Sequence, residues 1–196
     1  MAGINAAQVY MPGPNQSKTA GAISTADEGT TAPTDARTTL GADWTSGGYV
    51  TDAGVTMNIT RSTSAVKEWG QSVVRKPLSD FDITFSIPFM QVDEFFAKEA
   101  FGASNVTKTA ADSTHGNILE VAIGPALAEI KAWCIDMIDG DRYVRAYVPR
   151  GQITELGNVP FVPTAVNEYP STLSCYDDGT GHSVYLIYDD GEVTSL

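Results

Sequence analysis

The segment on either side of Asp139-Gly140 constrains the fold of this chain most strongly. It reads EIKAWCIDMI-DG-DRYVRAYV, with apolar and polar residues alternating on both sides of the dipeptide, as in half-buried strands. Asp-Gly suits the two positive φ angles of a type I′ turn, so the sequence predicts a two-residue β-hairpin. The predicted register pairs Ile135 with Val144 and Trp133 with Ala146 on an apolar face, and Cys134 with Arg145 and Asp136 with Tyr143 on a more polar face.

Further segments alternate in the same way, so the predicted fold class is mainly β. In Phe81–Pro88 the residues Phe81, Ile83, Phe85 and Ile87 share one face, with Asp82, Thr84 and Ser86 opposite. Leu119, Val121 and Ile123 repeat the pattern, with Glu120 opposite. A second hairpin is predicted from Ser171–Tyr176 and Ser183–Tyr188. Val55–Thr60 and Gln152–Glu155 are weaker strand candidates.

One short helix is predicted at 91–102. Its apolar residues are near helical spacing: Val92, Phe95, Phe96 and Phe101. Gln91 or Asp93 can start the helix, and Gly102 can supply a left-handed C-cap. A helix of about ten residues is not stable alone in water, so its Phe face is expected to pack on a sheet or across a subunit seam. A membrane-surface helix is disfavoured because the polar face is acidic rather than basic.

Length and charge limit the classes of function. A chain of 196 residues fits one domain, and its apolar runs are shorter than the roughly 20 residues of a membrane span. Twenty-four acids against 12 Lys and Arg give a formal net charge of −12, and no base follows Arg150. Nucleic-acid binding is therefore not expected, because it needs cations that neutralise phosphates. Acidity that serves only solubility would give the same composition.

No group of residues predicts catalysis or a cofactor. His115 and His182 lie in polar loops with no zinc-like spacing, and Cys134 and Cys175 have the character of buried core residues. Asp139-Gly140-Asp141 and Asp177-Asp178-Gly179 fit hairpin turns better than calcium loops. The sequence thus predicts no enzyme, no catalytic residue, no metal site and no cofactor.

Several segments are polar and are predicted to be loops or arms. Residues 11–48 and 104–117 are rich in Gly, Ser, Thr, Asn and Asp. The expected divisions of the single domain are an N-terminal arm at 1–20, a long loop at 60–76, the helix at 91–102 and a C-terminal tail at 189–196. Thr60–Lys76 is expected to be poorly ordered in an isolated subunit, with Trp69 as an apolar anchor for a neighbour; burial of Trp69 in its own domain is the alternative.

The order of motifs resembles the major tail protein (tail tube protein) family of long-tailed phages, especially those with actinobacterial hosts. The similar segments are the turn at Gly29–Ala36, GYVTDAGV at Gly48–Val55, AVKEWGQ at Ala65–Gln71, the strand at Phe81–Pro88, the helix end at Phe101-Gly102, and the closing segments RYVRAYVPRGQITELGNVPF and YPSTLSCYDDGTG. The chain departs from the family pattern at Ala53, which separates an Asp and a Gly that are usually contiguous.

The resemblance implies a β-sandwich or barrel-like domain that assembles as stacked homohexameric rings into a hollow tube in the virion, made in the host cytoplasm. It implies tape measure, tail terminator and distal tail proteins as partners, DNA as non-adhering cargo, and no membrane. It makes 60–76 an inter-subunit loop, with Lys67, Trp69, Gly70, Arg75 and Lys76, and it makes Asp82, Glu120 and Asp136 candidates for the lumen. A decoration or receptor-binding β module is the alternative.

Overall fold

The computed structural model describes residues 9–15 and 21–193 of the chain. The described part contains thirteen strands and one α-helix. The strands are β1 (Gly13–Pro14), β2 (Ile23–Asp27), β3 (Thr45–Ser46), β4 (Thr56–Thr63), β5 (Val66–Lys67), β6 (Val73–Arg75), β7 (Leu78–Phe89), β8 (Val106–Thr109), β9 (Ile118–Val121), β10 (Lys131–Asp139), β11 (Arg142–Leu156), β12 (Tyr169–Cys175) and β13 (Tyr185–Asp189). The helix α1 spans Glu94–Phe101, and a short 3₁₀ turn, Ala103–Asn105, follows it.

Nine strands form one antiparallel sheet whose two halves share the long strand β11. The first half of β11 pairs with β10 on one side and β13 on the other, and β2 and then β3 follow β10. The second half of β11 pairs with β12, which is followed by β7 and β4. The described strands do not close into a barrel. The mainly β class is confirmed, and the architecture is consistent with a β-sandwich.

The main core lies where the two halves of the sheet and α1 meet. Its fully buried side chains come from five strands and the helix: Ile23, Ile87, Phe89, Phe96, Trp133, Ile135, Val148 and Leu173. Gly151 is required at the centre of this packing, because a Cβ there would lie 2.8 Å from a ring carbon of Trp133. The Trp133 indole N–H also donates to the Gly151 carbonyl at 3.2 Å. The alternation of Ile83, Phe85 and Ile87 toward the core is confirmed.

The predicted central hairpin exists, but its register differs by two residues. Its loop is Gly140-Asp141, and Ile135 pairs with Ala146 instead of Val144. Of these two loop residues only Gly140 has a positive φ, 62°, which is the pattern of a type II′ turn. A shift of two leaves each residue on its predicted face, so the apolar face was correctly predicted although the partners were not.

The second predicted hairpin is wrong. Strands β12 and β13 do not pair with each other; both pair with β11, at Gly151–Leu156 and Tyr143–Tyr147 respectively. The polar loop between them therefore connects two strands that pair with different parts of β11.

Two predicted polar segments contain more structure than expected. In 104–117, β8 pairs with β9 in a separate two-stranded sheet, which contacts α1. In the predicted N-terminal arm, 9–15 is held on the domain: Arg142 Nη1 donates to the Val9 carbonyl at 2.9 Å, and the Met11 N–H donates to Asp139 Oδ2 at 3.0 Å. Residues 1–8 and 16–20 of that arm, and 194–196 of the predicted tail, lie outside the described residues.

Candidate assembly surfaces

Strands β4 and β7 extend past the rest of the sheet as a long hairpin. The neighbouring strand β12 ends where Cys175 pairs with Ile83, yet β4 and β7 remain paired as far as Thr63 and Leu78. Beyond them the chain continues through β5 and β6, and the turn closes with Gln71 at φ 67°. We call residues 58–82 the projecting hairpin. No side chain in it is buried.

The form of the hairpin corrects one expectation and removes one alternative. Residues 60–76 were expected to form a poorly ordered arm, but they form paired strands, because the β4–β7 register continues into them. Trp69 is 102% exposed, which excludes its burial in its own domain. The predicted anchor is thus presented at the end of a ribbon that no other element of the described chain covers.

Exposed apolar side chains cluster on the projecting hairpin. They are Ile59, Val66, Trp69, Val73, Val74, Leu78 and Phe81. Phe81 was predicted to face the core, but it is 41% exposed because β12 and the core end at Ile83; the Arg61 guanidinium covers its ring at 5.4 Å. An exposed apolar group of this size is typical of an interaction surface.

The same hairpin has a charge opposite to that of the chain as a whole. Residues 60–76 contain Arg61, Lys67, Arg75 and Lys76 against one acid, Glu68. This segment has a net charge of +3, whereas the chain has −12, so the remainder has −15. The tip combines cations with an exposed Trp and aliphatic residues, which suits an acidic and partly apolar partner.

Helix α1 forms as predicted and packs as a lid on the core. Asp93 Oδ1 accepts the Phe96 N–H at 2.8 Å as N-cap, and Gly102, at φ 90°, donates its N–H to the Lys98 carbonyl. Phe96 is fully buried, with its ring centre 5.0 Å from that of Phe89 and 5.1 Å from that of Tyr169.

The other helix residues pack to different extents. Phe95 and Phe101 are half-buried against the core. Val92 is 47% exposed and does not take part in the helix packing predicted for it, because it precedes the N-cap. Hydrogen bonds from Lys98 and Lys108 lower the pKa of the exposed Glu94 to about 2.

A buried carboxylate joins the helix to the sheet. Glu99 Oε1 accepts hydrogen bonds from Lys131 Nζ at 2.9 Å and Thr25 Oγ1 at 3.1 Å, and Glu99 is 5% exposed. Glu99 was not predicted as a buried residue, because an acid on a helix is normally solvated. Its spacing from Phe95 and Phe96 nevertheless places it on the packed side of the short helix.

The three candidate lumen residues occupy three different environments. Asp82 is exposed on β7, on the face opposite the core. Glu120 is exposed on β9, in the small sheet that contacts α1. Asp136 is 1% exposed, so it presents no charge on a surface of this chain and its assignment to the lumen is wrong.

Asp136 instead belongs to a buried ion pair that holds a loop on the back of the sheet. Arg145 Nε donates to Asp136 Oδ1 at 2.5 Å and Nη2 donates to Oδ2 at 3.2 Å. The same guanidinium donates to the carbonyls of Asp35 at 2.8 Å and Thr38 at 3.0 Å. The loop that it holds, 30–44, contributes Leu40 and Trp44 to a second apolar cluster. The other members of this cluster, Ala132, Cys134 and Tyr147, lie on β10 and β11.

The two cysteines belong to separate clusters. Cys134 lies in the second cluster and Cys175 in the main core, and both are buried thiols. Burial raises the pKa of Cys175 to about 12. Their role as small core residues agrees with the prediction.

The described residues present exposed apolar side chains on the projecting hairpin and a packed core beneath α1. Within 9–15 and 21–193, no group of three or more His, Cys, Asp or Glu side chains could hold a metal ion. No helix in this part of the chain is long and apolar enough to cross a bilayer. The distinctive features are an antiparallel β domain, a helix packed on its core and a projecting hairpin with exposed apolar side chains.

Comparison with known families identifies the class of protein to which these features belong. The family described as phage tail tube protein matches residues 4–195. The chain therefore belongs to the phage tail tube protein family and is a structural component of a phage tail. The family predicted from the order of motifs is confirmed. A comparison with curated proteins gave no match.

Proposed function

We propose that this chain assembles into homohexameric rings that stack into a hollow tail tube, through which DNA passes during ejection. Membership of the tail tube family supports a self-assembling virion component without enzymatic activity. In this proposal the subunit is made in the host cytoplasm, and its partners are copies of itself together with tape measure, tail terminator and distal tail proteins. The observation that carries the stacking is the projecting hairpin.

The hairpin is the element that a single subunit cannot stabilise well. A two-stranded ribbon is at best marginally stable in water unless a third strand or another layer covers it. Here a large apolar area, with Trp69 at its end, remains exposed. Contact with a neighbouring subunit would bury this area and give the ribbon its missing layer. Lys67, Gly70, Arg75 and Lys76 lie on the same tip and would join that contact.

The second part of the proposal concerns the wall of the channel. The face of β4, β7 and β12 away from the core consists of hydroxyl and amide side chains with one acid, which we call the hydroxyl face: Thr56, Asn58, Thr60, Asp82, Thr84, Ser86, Thr172 and Ser174. It contains no cation. In a ring with strands along its wall, one face of the sheet points to the hole and the other to the subunit core.

A wall of this composition suits passage of DNA without adhesion. Neutral hydroxyl groups offer no counterion-releasing contact to phosphates, and carboxylates repel them. Six copies of a chain of net charge −12 would carry about −72 in each ring, a field that strengthens this repulsion. Asp82 is the acid of the hydroxyl face. Glu120 stays a separate candidate, because it lies on another sheet.

Truncation of the hairpin tests the proposal. Replacing 64–77 by Asn-Gly joins Thr63 to Leu78, which are partners in the β4–β7 register, so the stem can remain paired. We expect a subunit with wild-type thermal stability that forms no tubes at concentrations where the wild-type chain does, as judged by negative-stain electron microscopy. The control is Ser113→Ala in the exposed loop between β8 and β9, which should form tubes normally.

The results separate three cases. Normal tubes from the truncated chain would refute the role of the hairpin in stacking. A large loss of thermal stability would show that the hairpin serves the fold of its own subunit instead. Wild-type protein that stays monomeric or trimeric at all concentrations would contradict the tube itself.

A further inference from the structure

A second exposed apolar surface lies at the end of the sheet opposite to the projecting hairpin. The hairpin continues from the first residue of β7, Leu78, whereas the last residue, Phe89, pairs with Tyr169 and forms a bridge with Val50. The connection 157–168 leaves β11 and enters β12 at this same end, where the Gly157 N–H donates to the Pro170 carbonyl.

This surface is unusually apolar for a set of loops. We call it the loop end and define it by its exposed apolar side chains: Tyr49, Met90, Val92, Phe161, Val162 and Val166. Phe161 is 77% exposed at the centre of a connection that has seven apolar residues in the sequence GNVPFVPTAVNE. Loops at a protein surface are normally polar where they face water, so this composition indicates that the loop end is covered in the assembled state.

The charge at the loop end is opposite to that of the hairpin tip. No Lys or Arg occurs in the chain after Arg150, so the connection has no cation. Glu155 precedes the connection and Glu168 is its last residue. Asp52 adds to this side, next to the Val50 bridge to Phe89. The hairpin segment 60–76, in contrast, has a net charge of +3. The two surfaces are therefore complementary in both charge and apolar character.

We propose that the loop end of one subunit receives the projecting hairpin of a subunit in the adjacent ring. The proposal rests on the assembly proposed above, and it adds the receiving surface. Because the two surfaces lie at opposite ends of β7, their contact is heterologous and leaves a free hairpin at one end of every stack and a free loop end at the other. Such a contact propagates in one direction and gives the tube a polarity.

Two other pairings fit the structure less well. Contact between two hairpin tips would place Lys67, Arg75 and Lys76 against the same cations of a second copy. An open groove of about 490 Å³ beside β13 contains acids and two tyrosines, but Asp189 there already pairs with Arg37 at 3.1 Å, and Tyr10 and Tyr188 contact each other with ring centres 5.4 Å apart. Asp189 and Tyr188 of this groove therefore already have partners within their own subunit.

Disulfide trapping tests the proposed contact. Both native cysteines are buried, so introduced cysteines provide the accessible thiols among the described residues. The test chain carries Ser72→Cys at the hairpin tip and Thr164→Cys in the loop end, both at exposed positions that leave Trp69 and Phe161 unchanged. Mild oxidation of assembled tubes should convert most of the chain into a ladder of covalent oligomers on a denaturing gel without reductant. The matched control, Ser72→Cys with Asp190→Cys in the groove, should give no ladder.

The possible outcomes decide between the surfaces. Tubes that form but give a ladder only with Asp190→Cys, or with neither partner, would overturn the receiving surface and leave the tube proposal intact. Should the paired variants not assemble, a photo-crosslinking amino acid at position 72 of the otherwise wild-type chain replaces them. Mass spectrometry should then find crosslinks in the peptide that contains 157–168, and crosslinks confined to other peptides would overturn the inference. A wild-type chain that forms no tubes would refute the assembly itself.

Discussion

The buried Arg145–Asp136 pair should control how firmly the loop 30–44 is held on the sheet. Arg145→Met removes the guanidinium and leaves the Asp136 carboxylate buried at 1% exposure. Removal of one partner of a buried ion pair costs about 3–5 kcal/mol, because the remaining charge has no adequate counter-charge. The carbonyls of Asp35 and Thr38 also lose their donors.

A double variant separates the cost of the unpaired Asp136 carboxylate from the cost of the loop carbonyls that lose their donors. Asp136→Leu combined with Arg145→Met removes both charges, so the penalty of the buried carboxylate disappears. The two loop carbonyls still lack donors, at about 1–3 kcal/mol if they stay buried. The double variant should therefore be more stable than Arg145→Met alone, although it should not reach wild type unless the loop moves to expose the carbonyls to water.

Urea unfolding of the isolated subunit, followed by tryptophan fluorescence, measures these free energies. Trp44 packs near Tyr147 in the cluster under the loop, so its emission also reports release of that loop. Arg75→Met, at an exposed arginine, is the matched control and should change stability by less than about 0.5 kcal/mol. An Arg145→Met variant as stable as this control would refute the reasoning.

Three further predictions follow from burial and charge. Phe96→Ala should lower the free energy of unfolding by about 3–5 kcal/mol, whereas Val92→Ala should change it by less than about 0.5 kcal/mol; equal effects in urea titrations would mean that the helix does not pack as described. Neither Cys134 nor Cys175 should react with a thiol reagent at pH 8 in the native state, and both should react in guanidinium; rapid native labelling would contradict their burial. Asp82→Lys should give tubes that retain DNA at low salt and release it at high salt; assembled tubes with no retention would place Asp82 outside the channel.

The elements predicted well were those fixed by local pattern. The helix was predicted at 91–102 and spans Glu94–Phe101, because Asp93 and Gly102 are cap residues on either side of a Phe-rich turn. The central hairpin was also placed correctly, but Asp139-Gly140-Asp141 contains two possible two-residue loops, Asp-Gly and Gly-Asp. Both give the same alternation of faces, so periodicity alone could not choose between them.

The elements predicted wrongly depend on contacts distant in sequence. Nothing local shows that β13 returns to β11 instead of β12. Phe81 continues the alternation of Ile83 and Phe85, but the strand that would extend the core beside it ends first. Asp136 lies on the more polar face as predicted, yet that face is covered by a loop a hundred residues earlier in the chain and neutralised by Arg145.

The assembly surfaces were only partly visible in the sequence. Trp69 and its neighbouring bases could be proposed as an anchor, because a polar segment with one Trp has no core of its own; the structure shows that Trp69 is exposed. The length of the projecting hairpin could not be predicted, since it follows from where β12 stops. The connection around Phe161 is apolar and without cations in the sequence, but its exposure is visible only in the structure.

Cryo-electron microscopy of tubes formed by the purified chain tests the central claim most directly. We expect tubes of uniform width with six subunits in each cross-section and an open central channel. The projecting hairpin of each subunit should reach into the adjacent ring, and the face that carries Asp82 should line the channel. Filaments without a channel, rings of another symmetry, or hairpins that contact only their own ring would contradict it.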